Sequence, residues 1–253
     1  MRNLKKITCL LFSIFLFVLI TVDSVNADAF DPVLKRWAKS LYYTDDAGAN
    51  LTINCTYYSA EYVEAYIQSE AQKNLWTRSE TDDFKYKFLA SLNLNEMIPI
   101  YIEFVNNGPT MHLGPFDNMV SLRIKNKTYK PVEYDKRFNF RFQGKKDGLV
   151  FFQRYDDKTG KDLLAGVTSV RLDFKSAINP MLDGRRPYFI WDINKDDPSK
   201  LYQGTTGARM ETDRLIKRLE KLRKDKAEEE AKLASINGEI STIQARLDEL
   251  AKQ

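Results

Sequence analysis

The chain has 253 residues, 12% of them aromatic, and balances 39 basic against 35 acidic side chains for a net charge of +4. A length of that order holds one domain with a real core plus appendages, and a body rich in Tyr and Phe excludes a disordered one. So small a positive excess, with no basic stripe interleaved with aromatics, excludes the electrostatic footprint of a nucleic-acid binder.

Residues 1–29 have the form of a secretory signal: Arg2, Lys5 and Lys6, an apolar run from Ile7 to Val22, then small residues offering cleavage after Ala27 or Ala29. A run of 16 residues is short for a bilayer span, which needs about 20, so an uncleaved anchor is the weaker reading and no transmembrane span is expected after cleavage. Export to the periplasm or cell surface of a bacterium is the expectation. Cleavage after Ala29 removes three basic and two acidic residues, which leaves +3, and takes Cys9 away. Cys55 is then the remaining thiol, and an internal disulfide is excluded.

Asp31-Pro32 is a helix start, with Asp as N-cap, and Leu34, Trp37 and Leu41 follow at helical spacing, predicting a helix over about 32–43. A strand is expected from Leu51 to Tyr58. Two amphipathic helices follow, over about 60–76 with Ser59 as cap and over about 80–94 with Ser79 and Asp82 as a capping box. From Met97 to Phe174 apolar and polar residues alternate, as in Ile100-Tyr101-Ile102-Glu103-Phe104 and Val170-Arg171-Leu172-Asp173-Phe174, the pattern of half-buried sheet. Strands are predicted at Ile100–Val105, Met119–Lys125, Thr128–Val132, Arg137–Phe142, Leu149–Tyr155, Val167–Phe174 and Tyr188–Ile193. Turns are predicted at Asn106-Asn107-Gly108-Pro109, at Lys125-Asn126-Lys127, from Gly144 to Gly148, and from Asp156 to Gly160. With no helices between the later strands the sheet is expected to be mainly antiparallel, and the expected body, residues 30–197, is mainly β, a β-sandwich of immunoglobulin-like or related type with two or three accessory helices. A partly open barrel is the alternative arrangement.

Residues 198–207 read as a linker, and from 208 to 253 the chain reads as one long helix. Leu215, Leu219, Leu222, Leu233, Ile236, Ile240, Ile243, Leu247 and Leu250 keep a single heptad frame, with Lys226 at an a place and Glu229 at a d place. Asn237-Gly238 falls outside that seam, so the helix is expected to continue through it. A seam this regular predicts a coiled coil, with a second copy of the chain as its partner.

The residues that could carry chemistry are few. His112 is the one histidine, which rules out a multi-His metal centre, and a Cys55–His112 pair lies in no catalytic motif. Asp192, Asn194 and Asp196 place oxygen ligands at alternate positions like a calcium loop, but Asp197 stands where that loop needs glycine and Gln203 where it needs its closing glutamate. A looser calcium site, with Asp156 and Asp157, is the remaining metal candidate; otherwise no cofactor, metal or catalytic group is expected. The reading is a non-enzymatic envelope protein that binds another envelope protein or polymer and is oligomerised by its C-terminal helix. An enzyme cutting carbohydrate or cell-wall polymer through Asp/Glu acid-base chemistry, or a calcium-dependent adhesion module, are the alternatives.

Overall fold

The computed structural model describes residues 29–251. The signal segment, with Cys9 and the cleavage site after Ala27, lies outside the described residues. Four helices and nine strands follow among them: α1 (Asp31–Trp37), β1 (Ala38–Thr44), β2 (Asn50–Tyr57), α2 (Ala60–Lys73), α3 (Arg78–Leu92), β3 (Met97–Met111), β4 (Val120–Ile124), β5 (Lys127–Tyr129), β6 (Glu133–Tyr134), β7 (Phe142–Gln153), β8 (Ser169–Phe174), β9 (Tyr188–Asp192) and α4 (Gly204–Leu250). They form two antiparallel sheets, β1-β2-β3-β7-β6 and β5-β4-β8-β9. In an immunoglobulin domain the third strand crosses to the second sheet. Here β1, β2 and β3 stay together, so the strand order is not the immunoglobulin one.

Period-two alternation sends one side chain in two into a single hydrophobic cluster that both sheets share. Ile53 and Phe104 are register partners in the first sheet, and Leu122, Leu172 and Phe189 form one row across the second. The Phe104 ring meets Phe174 edge-on at 5.9 Å, and Tyr57 lies 5.8 Å from Trp191. The Trp191 indole nitrogen donates to the Trp37 carbonyl at 2.7 Å, which satisfies a buried donor. A second cluster joins Val63 and Ile67 of α2 to Leu89 and Leu92 of α3, with Leu201 and the partly buried Leu149. Leu149 and Tyr101 are ladder partners, so these helices lie against the other face of the first sheet.

Several local expectations are corrected. The opening helix ends at Trp37, and Ala38–Thr44 is a strand paired with β2 along its whole length. Leu34, Trp37 and Leu41 fit helical spacing, but Leu41 and Tyr43 also alternate with exposed neighbours, and the strand gains a full ladder. Asp31 is inside the first turn, not the cap. The third helix is capped by Thr77, whose hydroxyl accepts from the Glu80 N–H while the Glu80 carboxylate accepts from the Thr77 N–H, two residues earlier than Ser79 and Asp82.

The Asn106–Pro109 stretch bends β3 through a bulge and does not end it. The Asn106 carboxamide accepts from the Gly108 N–H at 3.1 Å and donates to the Pro109 carbonyl at 2.8 Å, replacing ladder bonds lost there. Gly144–Gly148 is the first half of β7, not a turn, because its residues pair with Ile102–Asn106 and Lys145 bonds Glu103. Lys136–Asn139, overlapping the start of the expected strand Arg137–Phe142, is a 3-10 turn that lays the buried Phe138 across Gly148. A Cβ on Gly148 would stand 3.0 Å from Asp135 and 3.2 Å from Phe138.

The expected linker is also structured. Pro198–Tyr202 is a 3-10 turn with Leu201 buried, and α4 starts at Gly204, ahead of residue 208. Gly207 is required: a Cβ there would land on the Tyr202 carbonyl. The helix passes Asn237-Gly238 unbroken and runs for 47 residues, about 70 Å at 1.5 Å per residue.

Candidate functional site

Two features of the surface could carry a function, a groove beside the first two helices and the unaccompanied length of α4. The groove, ≈ 940 Å³, opens between α1, the start of α2 and the loop after β9. Glu61 ties its walls together: it accepts from Arg36 at 2.8 Å and from the Trp37 indole at 3.0 Å. Glu64 accepts from Lys85 at 2.9 Å and from Gln68 at 3.0 Å. Burial pushes the Glu64 carboxyl up, but those two hydrogen bonds and the Lys85 charge bring it below its ordinary value.

Asp192, Asn194 and Asp196 all line this groove, so the oxygen-rich loop is brought to one place. One oxygen of each aspartate is nevertheless committed. Asp192 accepts from the Asn194 N–H at 3.0 Å, and Asp196 accepts from the Ala60 N–H at 2.7 Å, at the first turn of α2. Burial holds the Asp196 carboxyl above its ordinary value against the Ala60 hydrogen bond, the Arg154 charge and the Tyr57 hydroxyl, which lower it. Among the described residues no group of three or more His, Cys, Asp or Glu side chains is placed to hold a metal ion. Asp156 is occupied as well, accepting from the Lys158 and Thr159 N–H groups of its own turn. Cys55 is wholly buried in β2 opposite Ile102, with its thiol pushed well up by burial. His112 is exposed just past the end of β3, so the structure does not bring the two together.

Asp196 thus closes the N-terminus of α2 from 136 positions away in the chain. Asp196→Ala is expected to cost about 1–2 kcal/mol in urea unfolding. Asp196→Asn keeps the acceptor and is expected to cost less. A raised folded-state pKa means that this group's contribution is greatest when protonated and is lost as pH rises from the ordinary carboxylate value, about 4, through the raised one. The Asn variant should lack that fall.

The second feature is α4, whose two parts have different surroundings. Its root is docked on α3: Arg209 bonds Asp83 at 2.6 Å and lies 4.4 Å over the Tyr86 ring, and the Tyr86 hydroxyl bonds Asp213. Thr206 is buried, and Met210 packs on the helix cluster with Phe84 and Phe88. Every residue from Arg214 to Ala251 is exposed. The nine predicted seam residues, Leu215 through Leu250, are between 47% and 61% exposed along that length. Ion pairs such as Lys232 with Glu229 at 2.7 Å and Lys226 with Glu230 at 3.5 Å run along the same helix. Each such pair stabilises a helix by only about 0.2–0.5 kcal/mol.

Neither the docked root nor the reach of Asp196 to Ala60 is legible in local sequence spacing; both depend on contacts far apart in the chain. No helix among the described residues is long and apolar enough to cross a membrane. Compared with known proteins, the chain matches no family model, no curated protein and no solved structure.

Proposed function

We propose that the protein is a non-enzymatic scaffold of the bacterial cell envelope: an exported β-sandwich domain that binds another envelope protein or polymer and is made multivalent by a coiled coil of its C-terminal helix. The observation that carries this reading is the heptad seam of α4, exposed from Leu215 to Leu250 and part of neither hydrophobic cluster of the domain. Helices of this kind are held mainly by packing of an apolar face, since intrinsic propensity and same-helix ion pairs contribute little. The sandwich part of the reading is supported by the single cluster to which both sheets contribute, and the export part by the N-terminal signal pattern.

The reading as an Asp/Glu hydrolase draws on the groove, where Glu64 and Asp196 are pushed in opposite directions, as acid and base partners must be. Weighing against it, the Glu64 carboxylate is held by Lys85 and Gln68 and Asp196 serves as a helix cap. The calcium-adhesion reading meets the same difficulty at Asp192 and Asp196.

Sedimentation equilibrium of the chain from Phe30, compared with the same chain ending at Arg214, tests the scaffold. That cut keeps Thr206, Met210 and Asp213, which dock the helix root, and removes the seam. The longer chain is expected to be oligomeric and the shorter one a folded monomer. Two monomers would end the scaffold reading.

A further inference from the structure

The charges along α4 are unevenly divided. Residues 204–227 hold eight basic and four acidic side chains, and residues 228–250 hold two basic and six acidic. The dividing line falls at the middle of the helix, where the two polar seam residues also stand, Lys226 at an a place and Glu229 at a d place. Two parallel copies would lay basic half on basic half, stack Lys226 on Lys226 and Glu229 on Glu229 in the core, and oppose Arg218 to Arg223 and Asp225 to Glu230 at the flanks.

Reversing one copy inverts every one of these contacts. In an antiparallel pair, a places face d places, g places flank g places and e places flank e places. With the copies centred on Ala227 and Glu228, Lys226 meets the partner's Glu229 twice over, and the apolar layers match outward from it: Leu222 with the partner's Leu233, Leu219 with the partner's Ile236. At the flanks Arg218 meets the partner's Glu239, Asp225 the partner's Lys232, Glu211 the partner's Arg246, and Arg223 the partner's Glu230. Sliding the copies by one heptad either way destroys the match, since Lys226 then faces the partner's Leu222 or the partner's Ile236 and the flanks become like-charged.

The root of the helix is shaped for this. Its seam places Thr205, Ala208 and Thr212 are exposed, Thr205 with a long hydrogen bond of 3.5 Å to Asp82 of α3, while Thr206, Met210 and Asp213, which dock on α3, lie on the other side of the helix. Small side chains therefore await the large Leu247 and Leu250 at the tip of a reversed copy.

Resting on the scaffold reading above, we propose that the occupant of the seam is a second copy of this chain, paired antiparallel over the whole of α4 in the register that joins Lys226 to the partner's Glu229. The same-helix ion pairs of Lys226 with Glu230 and Lys232 with Glu229 are exposed and exchange for these contacts on pairing. The domains then stand at opposite ends of one shared bundle, roughly 70 Å long, and face away from each other.

Disulfide trapping in the chain from Phe30 tests the orientation, with Cys55, buried in β2, as the background thiol. The double variant L219C/I236C is expected to give covalent dimers on mild oxidation. L219C alone and I236C alone should not, because like positions lie roughly 25 Å apart in the antiparallel pair. In sedimentation, K226E is expected to weaken association by at least about tenfold, because residue 226 of each copy then sets a second carboxylate against the partner's Glu229, and the exchange K226E/E229K should restore it. A parent chain that sediments as a monomer overturns the scaffold reading and this inference together. A dimer in which either single-cysteine variant crosslinks, or a trimer or larger assembly, overturns the antiparallel pair and leaves the scaffold standing.

Discussion

Phe104→Ala is expected to lower the unfolding free energy by about 3–5 kcal/mol, read as a shift of the urea midpoint with the slope unchanged. The side chain is wholly buried, and its ring lies 6.0 Å from Phe138, 6.1 Å from Phe142 and 5.9 Å from Phe174. Phe138 lies in the turn before β7, Phe142 opens β7 of the first sheet, and Phe174 ends β8 of the second. A hole at residue 104 is therefore walled by two sheets with separate hydrogen-bond ladders, and neither can close it without dragging its own ladder along. The control is Phe140→Ala, 67% exposed, which is expected to change stability by no more than about 0.5 kcal/mol. A cost below about 1 kcal/mol at Phe104 would mean that the sheets do not share a core.

The fold was legible where one periodicity ruled without competition. Strands β4, β8 and β9 follow from alternation alone, as does the turn at Lys125-Asn126, where Ile124 pairs with Lys127. The failures share a cause: the same residues served two local patterns, and distant contacts chose between them. Leu41 and Tyr43 suit a helix after Trp37, but β2 lay open for a partner along its whole length. Gly144, Lys145, Lys146, Asp147 and Gly148 are turn residues by composition, yet the ladder to β3 and the crossing of Phe138 over Gly148 make them a strand. Asn-Asn-Gly-Pro signals a turn correctly in the chemical sense. Its Asn106 side chain makes the turn-like hydrogen bonds inside a bulge, and the strand goes on.

The two candidate sites were legible to different degrees. The seam of α4 is a local, repeated signal, so sequence spacing alone names its residues, and the structure adds that the root is spoken for by α3 while the remainder is not. The groove is assembled from α1, α2 and the loop after β9, which no short-range pattern links. The alternating oxygens of Asp192, Asn194 and Asp196 pointed to that place, but the chemistry they implied, cation binding, competes with the use of Asp196 to cap α2. A carboxylate that closes a helix end and one that binds an ion look the same in a sequence.

Ile236→Glu with Ile240→Glu is expected to abolish self-association of the chain from Phe30, weakening it by more than about a thousandfold. Each glutamate would have to lose its water inside a seam, at a cost of several kcal/mol for each buried ion. Both substitutions recur in every copy. The domain should be indifferent: no residue beyond Asp213 is buried against it, so the main thermal transition is expected to stay within a degree or two of the parent. Glutamate is a good helix former, so the two changes do not themselves break α4. Its helical signal in far-UV circular dichroism should nonetheless fall, because residues 214–250 would then be a helix with every face in water, held by same-helix ion pairs of a few tenths of a kcal/mol each. The coupled loss of mass and helicity, with the domain's melting unchanged, separates a seam that packs from one that is incidental. If mass and helicity are both unaffected, neither association nor the helix depends on the apolar stripe, which then has another use.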